Sequence, residues 1–295
     1  GAGGLIKRTG STWALPSGTY TLTIGAGGNG AQQSSPTANT SGGDTTITPP
    51  TSPTTYNYRA YGGGAGGYPA NDNPPYRGNP GGSGGGAYSH ATPTNSTQPT
   101  LATGGSGVSG QGHPGGGNTF TYPGTNHAQH GGGGGGAGAA GQRAFADGND
   151  SPTSTYWYAG NGGNGVQMPE FPFSDIFSPG IIPDADFPAE SRSRSNGYFA
   201  GGGGGGAAPP GPRYRGKGGL GGGGNGAGER TPPSVPVTDR PEQYPGANPT
   251  SWAQDGAARL GGGGGGGHYP ESSYKGGNGG SGIAMIRYAY PADLI

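Results

Sequence analysis

Hydrophobic residues are sparse along this chain, and they follow a regular pattern in only a few short stretches. Residues 19–24 alternate hydroxyl and apolar side chains with a period of two, which predicts a half-buried strand. Residues 45–48 and 283–288 predict two further strand-like segments. No stretch shows the periodicity of an amphipathic helix, and prolines would interrupt most candidates. The pattern therefore predicts little regular secondary structure.

Glycine dominates the rest of the chain, and its residues are clustered rather than scattered. Within the clusters the common guests are Ala, Asn and Ser, and between them lie segments rich in Pro, Thr, Ser, Asn and Tyr. The longest intervening segments are 31–61, 166–200 and 229–260. The glycine runs themselves occupy residues 25–30, 62–67, 81–86, 131–138, 160–165, 201–206, 216–228, 261–267 and 276–282 and, more loosely, 104–117.

Composition leaves two interpretations of this arrangement open. Glycine supplies 76 of the 295 residues and proline 30, which exceeds the share of about 25–30 % at which an aperiodic chain is commonly disordered. Hydrophobic residues make up only 27 % of the chain, too few for a conventional core at this length. A flexible, disordered linker is one interpretation. However, a linker has no reason to carry aromatic clusters such as 156–158 between its glycine runs.

The other interpretation, which we favour, is a bundle of polyglycine II helices. Such a helix has three residues per turn and rises about 3.1 Å per residue, and the lack of Cβ atoms allows close packing with backbone hydrogen bonds between neighbours. One isolated run does not offset an ordering cost of roughly 1–2 kcal/mol per residue with hydrogen bonds worth about 0.5–1.5 kcal/mol each. In a bundle each run forms hydrogen bonds with several neighbours, and together these bonds offset the ordering cost. We expect an irregular fold in a single domain over 1–295, mostly coil by standard assignment, with long loops and a few short β-strands at the chain ends.

In such a bundle the glycines of the runs are expected to be structural scaffold. The residues assigned to this role are Gly62, Gly63, Gly64, Gly131, Gly132, Gly133, Gly134, Gly201, Gly202, Gly203, Gly204, Gly261, Gly262, Gly263 and Gly264.

Charge and titratable residues exclude several classes of function. Fifteen basic residues balance fifteen acidic ones, so the basic surface of a nucleic-acid partner is missing. There is no cysteine and no apolar run long enough to insert into a membrane. His127 and His130 lie close in sequence, but no third ligand can be named, so we predict no metal site and no cofactor. Nothing in the sequence suggests a nucleophile with its base, and we predict that the chain is not an enzyme.

Aromatic residues are the best candidates for recognition. They concentrate around the segment 166–200, the favoured binding loop because long loops commonly carry function. For most of these rings the expected role is structural, covering glycine faces in place of a core. The remainder would stack on the sugar rings of a surface glycan. The residues assigned as receptor-binding are Tyr156, Trp157, Tyr158, Phe171, Phe173, Phe177, Tyr198 and Phe199.

The two ends of the chain resemble a known family. Residues 20–28, Tyr-Thr-Leu-Thr-Ile-Gly-Ala-Gly-Gly, and 279–288, Gly-Gly-Ser-Gly-Ile-Ala-Met-Ile-Arg-Tyr, look like the start and finish of glycine-rich domains in phage tail and fibre proteins. Residues 61–67 resemble that family's first long glycine run after a strand. A related architecture is the T-even-type long-tail-fibre adhesin, a polyglycine II helix sandwich whose loops contact the bacterial receptor. The Pro/Thr-rich insertions at 49–55 and 232–249 depart from this pattern.

This resemblance implies a non-catalytic phage virion surface protein, a tail-fibre or adhesin domain that binds a host surface glycan or outer-membrane protein through its loops. Other virion fibre subunits are the further expected partners, and by analogy with fibres a homo-oligomer such as a trimer is expected. The location would be extracellular, on the virion tail or fibre, and we expect the chain to be part of a larger product. The alternatives are an extracellular fibril or matrix protein that assembles through its strand ends and, more remotely, an ice-binding protein.

Overall fold

The structure is a computed structural model that describes residues 1–9, 17–31, 39–50, 58–67, 77–88, 102–118, 129–146, 157–172, 197–208, 213–228, 253–267 and 275–287. Within these ranges there is no α-helix, and most residues belong to no regular element. This agrees with the predicted irregular, mostly coil fold. The strands of the described part are short: β1 Thr21–Thr23, β2 Thr45–Thr48, β3 Tyr58–Ala60, β4 Gln129–His130, β5 Phe145–Ala146, β6 Trp157–Tyr158, β7 Val166–Gln167, β8 Tyr198–Phe199, β9 Ala207–Ala208 and β10 Arg213–Tyr214.

The strands form four small sheets. β1, β2 and β3 make an antiparallel sheet in that order, with Leu22 opposite Ile47 and Ile47 opposite Tyr58. In a second sheet, β6 lies between β10, which is parallel to it, and β5, which is antiparallel. The pairs β4–β9 and β7–β8 are antiparallel. The predicted strand at 45–48 coincides with β2, and the predicted strand at 19–24 is represented by the shorter β1.

The strand predicted at 283–288 does not form over the residues described, 283–287. Ile283 and Met285 instead pack against a hydrophobic cluster formed by Met168, Phe199 and Leu260. The apolar side chains of this segment are therefore partly buried, although its backbone does not pair in a sheet. From the sequence alone, a short apolar run is compatible with either arrangement.

Backbone hydrogen bonds between glycine runs hold most of the described molecule together, and they recur every third residue. In the run 131–138 the donors fall into series, and one of them, from Gly133 and Gly136, is directed at residues 139–142. Towards 200–206, the amides of Gly131, Gly134 and Ala137 donate to the carbonyls of Gly206, Gly203 and Ala200 at 2.8–2.9 Å. Towards 84–87, the amides of Gly132 and Gly135 donate to Ala87 and Gly84 at 2.8 and 2.9 Å.

The same recurrence appears in runs far apart in sequence. The amides of Gly201, Gly204 and Ala207 donate to Gly221, Gly224 and Ala227, so these two segments run parallel. The amides of Ala159, Gly162 and Gly165 donate in the same way to Tyr214, Lys217 and Leu220. Consecutive residues of a run form hydrogen bonds with different neighbouring segments, and every third residue bonds the same segment. Each run is therefore hydrogen-bonded on several sides.

Close backbone approach explains why these positions are glycine. A Cβ on Gly62 would lie 1.9 Å from the carbonyl oxygen of Gly42, and one on Gly203 would lie 1.9 Å from that of Gly264. At every predicted scaffold glycine except Gly131 and Gly261, a Cβ would lie less than 3.0 Å from a backbone atom. Gly261 has room for a Cβ, but its φ of +67° favours glycine.

Asparagine enters the runs because its side-chain carbonyl substitutes for a backbone acceptor. Asn161 Oδ1 accepts from the amide of Lys217 at 2.8 Å, and Asn278 Oδ1 accepts from Gly30 at 3.0 Å. Asn225 is buried and makes the most complete set, accepting from the Gly218 amide and donating through Nδ2 to Gln254 Oε1, both at 2.8 Å. A guest asparagine therefore adds side-chain hydrogen bonds to the backbone hydrogen bonds of the scaffold.

Candidate functional site

The favoured recognition segment, 166–200, is fixed at its base by backbone pairing. β7 and β8 place Val166 opposite Phe199 and Gln167 opposite Tyr198. The Met168 amide extends this pairing by donating to the Gly197 carbonyl at 2.9 Å. Residues 173–196 lie outside the described part of the chain, but the residues that precede and follow them meet at one point of the scaffold.

Side chains from three separate parts of the chain pack around this base. Met168 and Phe199 belong to the buried cluster with Leu260, and Phe171 packs against it while remaining partly exposed. The Phe171 amide donates to the Met168 carbonyl at 2.9 Å, which closes a tight turn. The loop base is therefore anchored in one of the few hydrophobic clusters in the described structure.

An ion pair and a hydrogen bond connect the same turn to residues 7 and 287. The Lys7 ammonium pairs with the Glu170 carboxylate, and Arg287 Nη1 donates to the Glu170 carbonyl at 2.8 Å. The hydrogen bond from Lys7 holds the pKa of Glu170 below its ordinary value, since it stabilises the ionised carboxylate. The contact is solvent-exposed, so it orients the turn more than it stabilises the fold.

Half of the eight residues predicted to bind a receptor can be placed with their side chains. Tyr156, Phe173 and Phe177 lie outside the described residues, and for Trp157 only the backbone, in β6, is described. Phe199 is 2 % exposed, so its ring is part of the packed base and is not available to a ligand in this conformation. Tyr158, Phe171 and Tyr198 are each partly exposed.

Tyr158 lies in the middle of a stack of three rings. Its ring centroid is 4.7 Å from that of Phe145 with an interplanar angle of 10°, and 4.7 Å from that of Tyr214 with an angle of 19°. The strands dictate this stack, because Phe145, Tyr158 and Tyr214 are register partners across β5, β6 and β10. Both faces of Tyr158 are thus covered by other rings.

The stack becomes more exposed along its length. Tyr214 is 2 % exposed, Tyr158 is half-buried, and Phe145 is 39 % exposed. Phe145 therefore presents a ring that is held flat by the two tyrosines behind it, a geometry suited to stacking on another planar or apolar surface. Sequence reasoning missed Phe145 and Tyr214, since each is isolated in sequence and only strand pairing brings them to Tyr158.

Metal ligation and membrane crossing find no support in the described residues. Among them no group of three or more His, Asp or Glu side chains lies close enough to hold a metal ion. His130 is fully buried, whereas His127 lies outside the described residues. Over the same residues, the structure contains no helix with the length and apolar character to cross a membrane.

These features define a glycine-rich scaffold held by backbone hydrogen bonds, with aromatic side chains at its loop bases. The chain belongs to the glycine-rich domain family, whose model matches residues 1–171. No curated protein and no solved structure matches the chain. The described runs beyond residue 171, such as 201–206 and 261–267, nevertheless make the same kind of hydrogen bonds as those within the matched part.

Proposed function

We propose that this protein is a non-catalytic domain of a phage virion surface protein, in which a bundle of polyglycine II helices holds receptor-binding loops. The observation that carries the scaffold half of the proposal is the three-residue recurrence of hydrogen bonds between runs, which matches the three residues per turn of this helix. No residue of 201–206, a fully described run, has a positive φ, in keeping with a left-handed helix of this type.

The recognition half of the proposal rests on how the loops meet the scaffold. A binding loop needs a base that does not move when a ligand is engaged, because ordering a loop on binding reduces affinity. The pairing of β7 with β8, with Met168 and Phe199 buried beneath it, supplies such a base for 166–200. Phe145 supplies a second, preorganised aromatic surface, and a host surface glycan or outer-membrane protein is the proposed partner.

The fibril alternative receives less support than the sequence suggested. It uses strand ends such as 19–24 and 283–288 to pair between subunits, and residues 283–287 form no strand within the chain. β1 is an edge strand whose residues are exposed, but a three-residue edge is a weak template for assembly. We therefore propose assembly with other virion fibre subunits, as a homo-oligomer, and location on the tail or fibre.

Immunogold electron microscopy of the native source, with an antibody raised against this chain, tests the location. Labelling of tails or fibres on phage particles is the expected result. Labelling along free filaments would contradict the proposal and favour a matrix or fibril subunit.

Competition for host cells tests the recognition surface. Purified protein is expected to block adsorption of the particle to the cells on which it grows, and Phe145→Ala is expected to weaken this block about tenfold, as loss of a central aromatic contact often does. Leu220→Ala is the matched control, because Leu220 is 38 % exposed and Phe145 is 39 % exposed. Equal competition by the two variants would exclude Phe145 from the binding surface.

A further inference from the structure

Asparagine is followed directly by glycine at several places in the described structure. The pairs with both residues described are 29–30, 161–162, 164–165, 225–226 and 278–279. Such a pair is chemically labile, because the glycine nitrogen can attack the side-chain carbonyl carbon of the asparagine, and the missing Cβ leaves the approach unhindered. The pairs are alike in sequence, so the fold determines how their reactivities differ.

The scaffold holds both reacting groups of the pairs that begin at Asn161 and Asn164. Asn161 Oδ1 accepts from the Lys217 amide at 2.8 Å, and the amide of the following glycine donates to the Lys217 carbonyl at 2.8 Å. Asn164 Oδ1 accepts from the Leu220 amide at 3.0 Å, and the amide of the following glycine donates to the Leu220 carbonyl at 2.7 Å. The attack therefore requires these hydrogen bonds to open first.

Asn225 and Asn278 are held in a similar way. Asn225 is 2 % exposed, and its side chain bonds the Gly218 amide and Gln254 Oε1, both at 2.8 Å. Asn278 Oδ1 accepts from the Gly30 amide at 3.0 Å. The glycine that follows each asparagine donates its amide to a backbone carbonyl of another segment, at 3.0 and 2.8 Å respectively. In these two pairs as well, neither reacting group is free.

Asn29 differs from the other four asparagines. It is exposed, and its side chain forms no hydrogen bond with any residue that the structure describes. Its backbone amide is held by Thr40 Oγ1 at 3.1 Å, which leaves the side chain free to turn. The Gly30 amide donates to a side chain, Asn278 Oδ1, instead of a backbone carbonyl. A side-chain acceptor rotates away more readily than a carbonyl fixed within a run.

We propose that Asn29 is a site of spontaneous deamidation in the folded protein. The Gly30 nitrogen loses its proton and bonds to Asn29 Cγ, and the side-chain nitrogen leaves as ammonia. Water, which reaches the exposed Asn29, then opens the resulting succinimide at either carbonyl and gives aspartate or isoaspartate. Water is the only co-reactant. At the other four pairs the same reaction requires unfolding. The inference uses the hydrogen bonds alone and is independent of any virion role.

The isoaspartate product would alter the pairing of this run with the segment 276–282. The carbonyls of Gly25, Gly28 and Ala31 accept from amides that are also three residues apart, at 3.0, 2.8 and 2.9 Å. Isoaspartate routes the backbone through its side chain and so adds one atom between Gly28 and Ala31. The spacing of the carbonyls then no longer matches that of the amides. We expect the hydrogen bond from the Gly276 amide to Ala31 to be lost.

Peptide mapping by mass spectrometry, during incubation of the protein in mildly alkaline buffer, tests the proposal. We expect Asn29 to convert about tenfold or more faster than each of the other four asparagines, since those pairs must first open locally. In denaturant the five rates should become similar, because the dipeptide is the same. Isoaspartate is detected by enzymatic methylation. As it accumulates, amide hydrogen exchange at Gly276 should become faster.

Two variants serve as controls. Asn29→Gln keeps the amide but needs a larger ring, so its modification should be slower and exchange at Gly276 should stay slow. Asn278→Ala removes the acceptor of the Gly30 amide and should accelerate conversion of Asn29. Conversion at Asn161 reports whether that variant still folds. The proposal is overturned if Asn29 converts no faster than the other four in the folded protein, or if its lead persists unchanged in denaturant.

Discussion

At the scale of single residues, glycine is required where the backbone of a neighbouring run occupies the space of a Cβ. Gly64 and Gly66 lie in the same run, but a Cβ on Gly64 would be 2.0 Å from Asn79 O, whereas one on Gly66 would be no closer than 3.8 Å to Gly86 O. A backbone carbonyl held in the array cannot rotate away as a side chain does. We expect Gly64→Ala to lower the free energy of unfolding by about 3 kcal/mol.

Gly66→Ala is the control for this prediction. The substitution restricts the unfolded chain without introducing a clash, so it should leave stability unchanged or raise it by about 0.4–1 kcal/mol. Denaturant unfolding of both variants measures the difference. Similar losses in the two variants would mean that the runs do not pack as closely as described.

For a chain that is produced with Gly1 as its first residue, the amine of Gly1 predicts a dependence of stability on pH. Burial lowers its pKa from 8.0 to about 5, so between these values the unfolded chain binds a proton that the folded chain does not. Stability should therefore be greatest above pH 8 and fall as the pH drops towards 5, by about 4 kcal/mol in total. Below pH 5 this contribution stays constant. Subtracting the unfolding profile of the N-acetylated chain isolates the effect, and identical profiles would contradict it.

Single residues also mark the limit of what the sequence predicts. The role of the scaffold glycines can be predicted from their clustering, because long runs of a residue without Cβ favour close packing of backbones. The roles of Phe145 and Asn225 cannot be predicted from the sequence, since their partners Tyr158 and Gln254 are brought to them only by folding. That pairing is a property of the folded bundle.

At the scale of elements, the buried Asn225 makes side-chain hydrogen bonds that a glycine in its place could not make. Replacing Asn225 by Ala would leave the Gly218 amide and the Gln254 side chain without their 2.8 Å partners. We expect a loss of about 1–3 kcal/mol, the cost of unsatisfied buried groups. Asn225→Asp keeps an acceptor for Gly218, so its amide exchange should remain slow in that variant and become faster in Asn225→Ala. Unchanged exchange in both variants would exclude this linking role.

Two of the segments predicted as strands show when a local sequence pattern is sufficient to predict a strand. Alternation at 19–24 predicts a strand, and β1 forms there because β2 provides a partner of matching register. The apolar run at 283–288 carries as strong a local preference, but its described residues lie where Met168 and Leu260 need to be covered. Where the local pattern is compatible with more than one structure, tertiary packing determines whether the segment forms a strand.

At the scale of the whole molecule, the order of the runs in the bundle could not be predicted. Register is normally specified by side-chain patterns, and runs made of one residue carry no such pattern. In the structure, buried alanines such as Ala137, Ala200 and Ala227 lie at or near run ends, and Asn225 lies at a fixed position within its run. These guests provide the differences between otherwise equivalent segments.

The same architecture predicts an unusual heat capacity of unfolding. Globular proteins gain about 12–15 cal/mol/K per residue on unfolding, because exposed apolar surface raises the heat capacity more than exposed polar surface lowers it. Here the buried side chains of the described residues are few and mostly alanine, while the buried backbone is extensive. We expect a value of about half the usual one per residue, measured by differential scanning calorimetry. A value in the usual range would contradict the prediction, since it would mean that burial of apolar surface contributes as much here as in other globular proteins.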